Sequence, residues 1–177
     1  GDNQRENLAC AVEVAKQFNI PLSNIKKVVK NFKGVEGRLQ YVKTVKGVKI
    51  YNDNNATTPE ATVSGLEALG KKPARMSKAG GNIILIAGGA DKGLDVAPLK
   101  KAIDKYCKAV VLLPGTGTGK LSIGIKAKDL KDAVSKSLAQ AKKGDIVLFS
   151  PAFASFGMCN NEYDRNDQFV KIIKKLK

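Results

Sequence analysis

The chain of 177 residues is 43% hydrophobic, enough for one well-buried domain with an appendage and too much for a chain disordered throughout. Its 31 Lys and Arg against 16 Asp and Glu give a formal net charge of +15, which favours anionic partners, either nucleic acid or phosphorylated small molecules. Histidine is absent and Cys10, Cys107 and Cys159 lie far apart with no Cys-x-x-Cys pair, which excludes a zinc site and a Cys–His catalytic pair and leaves the cysteines as small apolar filler.

No apolar run approaches the roughly 20 residues needed to cross a bilayer, and the opening Gly-Asp-Asn-Gln-Arg-Glu is unlike a secretory signal, so a cytoplasmic protein is expected. Ten of the lysines fall in adjacent pairs, Lys26-Lys27, Lys71-Lys72, Lys100-Lys101, Lys142-Lys143 and Lys174-Lys175, as on solvated helix ends. With no basic run of five and few arginines, the charge predicts a generally basic surface.

In chain order, Leu8, Ala11, Val12 and Ala15 repeat with a helical period over about Glu6 to Phe18. Ile20-Pro21 ends that helix. Ser23 is placed to cap a second, with Ile25, Val28, Val29 and Phe32 on one face and Gly34 closing it. Val42, Val45, Val48 and Ile50 flank Lys46-Gly47, a dipeptide suited to a hairpin turn. The second strand runs into Asn52-Asp53-Asn54-Asn55-Ala56-Thr57, after which Thr58 and Pro59 open a helix to about Leu69.

Lys71 to Gly81 reads as a mobile loop, being Lys, Pro, Ser and Gly with little to bury. Asn82 to Ala87 is an uninterrupted apolar strand of the kind buried on both faces of a parallel sheet, and it delivers the chain to Gly88-Gly89-Ala90-Asp91-Lys92-Gly93. A helix over Ala97–Tyr106 and a strand over Ala109–Leu113 follow. Gly115-Thr116-Gly117-Thr118-Gly119-Lys120 superficially suggests a phosphate loop, but Pro114 and Leu121 stand where that motif needs Gly and Ser or Thr, so a flexible turn is expected. A helix over Lys128–Lys142, a strand over Ile146–Phe149, the segment Ser150-Pro151-Ala152-Phe153-Ala154-Ser155-Phe156 and a last helix from about Asn166 to Leu176 complete the chain.

This strand–helix rhythm predicts an α/β fold with a mainly parallel sheet flanked by helices. In such sheets ligands bind at the carboxyl ends of the strands. Three of those ends are polar: Asn52 to Thr57, Gly88 to Gly93, and Ser150 to Ser155. If they converge, glycines would admit an anion close to the backbone, Lys92 would neutralise it, and Thr57 and Ser155 would orient it. Asn, Asp and Thr are also ordinary turn and cap residues, so the physical reading stops at an anion or nucleotide site.

Taken in order, these segments resemble the C-terminal part of the Mur ligase family, ATP-dependent amide-bond enzymes of peptidoglycan precursor synthesis. Gly1 to Asn7, Gly37-Arg38 before the hairpin, Asn52 to Thr57, Gly88 to Gly93, Ser150 to Phe156 and Arg165-Asn166-x-x-Phe169 follow the family's sequence of elements. Other Mur ligases and folylpolyglutamate synthases share the architecture, and the Ser-Pro-Ala-Phe-Ala-Ser-Phe ending is most similar to the branch that adds D-glutamate. The resemblance implies a Rossmann-like domain over 36–177, preceded over 1–35 by the helical tail of a central ATPase domain.

It also implies roles. Asn7 would meet adenine, Arg38 would reach the nucleotide and Asp53 would hold its ribose; Thr57, Lys92 and Ser155 would grip D-glutamate, with Phe156 adding backbone and apolar contact. The family's chemistry is transfer of the ATP γ-phosphoryl group to a substrate carboxylate, then attack of the D-glutamate amine on the acyl phosphate. ATP, ADP and Mg are implied, with the phosphate loop, the magnesium ligands and the site for UDP-N-acetylmuramoyl-L-alanine in domains that this chain does not include. The chain is therefore expected to be a monomeric piece of a ligase, holding no complete catalytic set and no metal ligands, inactive alone, with no membrane or nucleic-acid partner.

Departures from the family pattern are Asn3 and Gln4 in the opening, Gly37 in place of His, Asn55 in place of Lys, Gly157 in place of Asp, and Asn166 in place of Gly. Asn55 removes a cation, which keeps two alternatives open: a catalytically lapsed binding or scaffold domain and, from the charge, a basic nucleic-acid-binding α/β module.

Overall fold

A computed structural model describes residues 2–70, 81–156 and 159–176. The loop expected from Lys71 lies outside these residues except for Gly81, as does Gly157. The chain forms two compact units, Gly1–Val35 and Glu36–Lys177.

The first unit contains α1 (Asp2–Gln17) and α2 (Leu22–Asn31). Helix α1 begins about four residues before its apolar repeat does. Ser23 is not the cap of α2: Pro21 holds the N-cap position without a side-chain bond, its φ of −56° already suited to a helix start. The Pro21 carbonyl accepts from the N–H groups of Asn24 and Ile25 at 2.9 and 3.2 Å. The helix stops at Asn31, ahead of Gly34, with Phe32 extended and the Asn31 side chain bonded back to the Lys27 carbonyl.

The second unit is a six-stranded sheet in the order β1-β2-β6-β3-β4-β5. The strands are β1 (Gln40–Val45), β2 (Val48–Asn52), β3 (Ile83–Ala87), β4 (Cys107–Leu112), β5 (Ile125–Lys126) and β6 (Ile146–Phe149). Among these six strands β1 and β2 pair antiparallel, and the other pairings are parallel. Their turn is Lys46-Gly47, both at positive φ (49° and 80°), the twist that a two-residue hairpin needs. Strand β5, two residues long, escapes any periodicity argument.

Strand β3 is buried along its whole length, and alternation sends its side chains to opposite layers. Ile84 and Ile86 join a core with Val147, Phe149, Val111 and Phe169, packed under α5 (Leu130–Gln140) and α6 (Glu162–Lys174). Ile83, Leu85 and Ala87 join a second core with Leu148, Leu66, Leu99 and Ile103, packed under α3 (Pro59–Leu69) and α4 (Ala97–Tyr106). Thr58 caps α3, its hydroxyl accepting from the Ala61 N–H at 3.3 Å with Pro59 in the first turn.

Helix α6 starts at Glu162 behind an Asn161 cap, four residues before the expected Asn166, because the Asn161 side chain satisfies the Asp164 N–H at 2.9 Å. The early start places Arg165 and Asn166 inside the helix and turns them inward. Arg165 is fully buried. Its Nε donates to Asn54 Oδ1 at 2.7 Å, its Nη2 to the Asn54 carbonyl at 3.0 Å, and its Nη1 to the Phe153 carbonyl at 3.4 Å. Replacing it by Leu strips three buried acceptors of their donors, and we expect a loss of about 3 kcal/mol or more. Arg165→Lys should recover only part, because a single ammonium cannot reproduce the fork. Urea unfolding of the three chains checks this, and a leucine variant within about 0.5 kcal/mol of the parent would contradict it.

Candidate functional site

Strands β2, β6 and β3 are neighbours, and their last residues lie in register: Asn52 opposite Phe149, and Ile86 opposite Phe149 on the other side. The three polar loops therefore leave the same edge of the sheet, with 150–156 in the middle. It is stitched to both neighbours. Ala152 N–H donates to the Ala56 carbonyl at 2.9 Å, Gly88 N–H donates to the Pro151 carbonyl at 2.8 Å, and Ala90 and Ala154 form an antiparallel bridge. Gly89 has φ 147°, and a Cβ there would sit 2.2 Å from the Ala154 carbonyl oxygen, so only glycine admits this approach.

The stitching brings Lys92 to Thr57: Nζ donates to Oγ1 at 3.0 Å across 35 residues of sequence. Ser155, buried, follows directly on Ala154, whose partner Ala90 is two residues before Lys92. Phe156 at the end of the same loop is 69% exposed. Thr57, Lys92, Ser155 and Phe156 are thus set on adjoining loops of one rim. Arg38 is exposed on the turn that precedes β1, and Asn7 is exposed on α1 in the other compact unit.

Asp53 is a buried post, 6% exposed. Its Oδ1 accepts from the Leu39 N–H at 3.0 Å and its Oδ2 from the Ser150 hydroxyl at 2.8 Å, and that hydroxyl lies 2.9 Å from Thr62 Oγ1. On the helix side, a Cβ at Gly65 would come within 2.9 Å of Oδ2, so α3 offers the carboxylate a gap of its own size. Burial pushes the Asp53 pKa up to about 6, against the lowering effects of the Ser150 and Leu39 bonds and of the Arg38 charge.

The Gly115–Lys120 segment is not a loose turn. Thr118 Oγ1 donates to the Leu113 carbonyl at 2.8 Å and accepts from the Gly89 N–H at 3.2 Å; Thr116 Oγ1 accepts from the Asp91 N–H at 3.0 Å. Lys120 pairs with Asp91 at 2.7 Å, and its hydrogen bond holds that carboxyl below the usual range. Glycines let the strip lie against the loop of Lys92, and the threonines fasten it. Their two-residue spacing was the one signal in the sequence. Among the described residues no cluster of three His, Cys, Asp or Glu could hold a metal ion.

The Asp53 carboxyl makes a testable pH signature. Its folded pKa of about 6 stands above the ordinary 3.8, so the folded state binds the proton more tightly, and stability falls as pH rises between those values. Across that window the group removes about 3 kcal/mol. Asp53→Asn lacks this slope, so the stability difference between parent and variant should shift in the variant's favour from pH 4 to pH 7. Urea melts across this range check it; parallel curves would exclude the raised pKa.

A family model described as Mur ligase, glutamate ligase domain, matches residues 37–153. The UDP-N-acetylmuramoylalanine--D-glutamate ligase of Borreliella afzelii is 40% identical over 173 residues, 92% of this chain and 36% of the relative. That of Pseudomonas fluorescens is 36% identical over 99% of this chain and 39% of its own length. The chain thus spans well under half of either. Among solved structures, the UDP-N-acetylmuramate-alanine ligase of Thermotoga maritima shares the fold, with TM-score 0.67 at 14% identity, covering 98% of this chain and 38% of that one. A family match over most of the chain, on a sheet whose polar strand ends meet at one rim, establishes that the chain belongs to the Mur ligase family, through its glutamate ligase domain.

Proposed function

We propose that this chain is the amino-acid-receiving end of an ATP-dependent ligase that joins D-glutamate to UDP-N-acetylmuramoyl-L-alanine in peptidoglycan precursor synthesis. The observation that supports it best is the meeting of Lys92 and Thr57 on a glycine-lined rim beside Ser155. A cation and two hydroxyls suit a small dicarboxylate, because charge-assisted bonds both hold and orient it. Among the described residues Lys92 forms no ion pair, and its bonded partner is the neutral Thr57 hydroxyl, so its charge stays available to a carboxylate. Phe156, exposed at the end of the central loop, supplies backbone and apolar contact.

The nucleotide belongs to the other side of the same reading. Arg38 gives a charge that reaches it, and Asn7 as the residue that meets adenine rests on the family resemblance alone. Asp53, only 6% exposed, serves the nucleotide chiefly through the turn that it anchors. ATP supplies the phosphoryl group that activates the acceptor carboxylate, with magnesium held by residues outside this chain. D-glutamate's amine must then be delivered in line, and the rim supplies the orientation for that.

Titrating D-glutamate into the labelled chain should shift the amide signals of Thr57, Gly88–Gly93 and Ser155, with L-glutamate weaker. Lys92→Met keeps the stem and removes the charge, and should cost about tenfold or more in affinity. Shifts absent from all three loops would sink the proposal and favour the lapsed-domain alternative. Polynucleotide binding that collapses with added salt would favour the nucleic-acid alternative. In a separate assay the chain alone should release no phosphate from ATP with D-glutamate present, and steady release would contradict a division of the machinery between domains.

A further inference from the structure

Gly37, Asn55 and Asn166, three positions that depart from the family pattern, are distant in sequence and meet in space. A Cβ on Gly37 would lie 3.1 Å from Asn55 Oδ1 and 3.2 Å from Asn166 Oδ1. The two amides thus fill the room that a side chain at 37 would use. Each is also tied down. Asn55 Nδ2 donates to the Glu36 carbonyl at 3.3 Å, and Asn55 Oδ1 accepts from Asn54 Nδ2 at 3.2 Å. Asn166 Nδ2 donates to Glu36 Oε1 at 3.1 Å, and Asn166 Oδ1 accepts from Asn52 Nδ2 at 2.8 Å.

The object being held is the turn of residues 36–40. Its backbone is taken up at four points: the Glu36 carbonyl as above, Gly37 N–H by Gln40 Oε1, the Gly37 carbonyl by the Asn55 N–H at 2.9 Å, and Leu39 N–H by Asp53. Gly37 and Leu39 both have positive φ, 70° and 46°. For leucine that conformation is costly and persists only where its surroundings enforce it. Between them stands Arg38, exposed.

We infer that Gly37, Asn55 and Asn166 act as one amide lock that fixes this turn and thereby presents Arg38, so that Asn55 and Asn166 are positioning residues and not ligands. This rests on the nucleotide reading of Arg38 given above. Asn55 is then not a vacated cation position. Its amide is consumed by the turn, and Asn55→Lys made alone would lose both of its side-chain bonds while Asn166 stayed in place.

The test combines amide hydrogen exchange with ADP titration on the parent chain, Asn55→Ala, Asn166→Ala, Arg38→Ala and the two double variants with Arg38→Ala. Exchange at the Leu39 amide should quicken about tenfold or more in each asparagine variant, while the β3 amides keep their protection. ADP affinity should fall about three- to tenfold in those variants when Arg38 is present, and not at all in the Arg38→Ala background. Unchanged Leu39 exchange overturns the lock. Equal loss of ADP affinity with and without Arg38 overturns the positioning role, since the amides would then act on the nucleotide directly. A parent chain that binds no ADP removes the nucleotide reading itself, and exchange alone then decides whether the lock exists.

Discussion

The rim depends on a buried cation that forms no ion pair among the described residues. Arg165 sits at 0% exposure, and its hydrogen bonds in the structure are to oxygens of Asn54 and Phe153, all neutral. Removing a charge from water is expensive unless its donors are satisfied, and burial lowers this guanidinium to about 10, still protonated at neutral pH. What that cost secures is a cross-tie. Asn54 belongs to the loop after β2, and Phe153 to the loop after β6. One planar fork fixes the spacing between them, with the Phe149 ring 5.9 Å from its centre.

From that tie the rest follows in layers. With 150–154 fixed against 53–57, the Ala90–Ala154 bridge places the 88–93 loop, and the Thr116–Lys120 strip closes that loop from its far side. Each contact is modest by itself. The effect is cumulative, since the position of Lys92 is set by the Arg165 side chain on α6 and by backbone bonds between the loops, and only the last link, to Thr57, involves its own side chain. Asp91 is neutralised by Lys120, so the adjacent acid does not quench Lys92.

Much of this architecture was legible in the chain. The strands at 83–87 and 146–149 declare themselves as apolar runs, Thr58-Pro59 marks a helix start, and Lys46-Gly47 marks a hairpin, because each signal is local chemistry. The start of α6 was missed because Asn161 as a cap competes with the more apolar repeat around Phe169, which begins later. The Gly-Thr strip reads as loose because glycine dominates any local argument, and the partners that fasten its hydroxyls come from 88–91. Burial was the harder quantity. Nothing around Asp53 in sequence says that Ser150, Leu39 and the gap at Gly65 enclose it, since these come from three separate segments.

The same limit applies to judging a family pattern position by position. Along the sequence, Gly37, Asn55 and Asn166 look like three independent losses, the one at 55 apparently fatal to a cationic site. In space they form a single contact set in which the small residue makes room for the two larger ones. A lapse of function would leave such positions free to drift apart, with unpaired amides or empty volume. Here the Asn166 amide bridges Asn52 to Glu36, the Asn55 amide bridges Asn54 to the Glu36 carbonyl, and no buried side-chain polar atom among the described residues lacks a partner. Satisfied packing around an exposed arginine is what a replaced mechanism of positioning would leave behind.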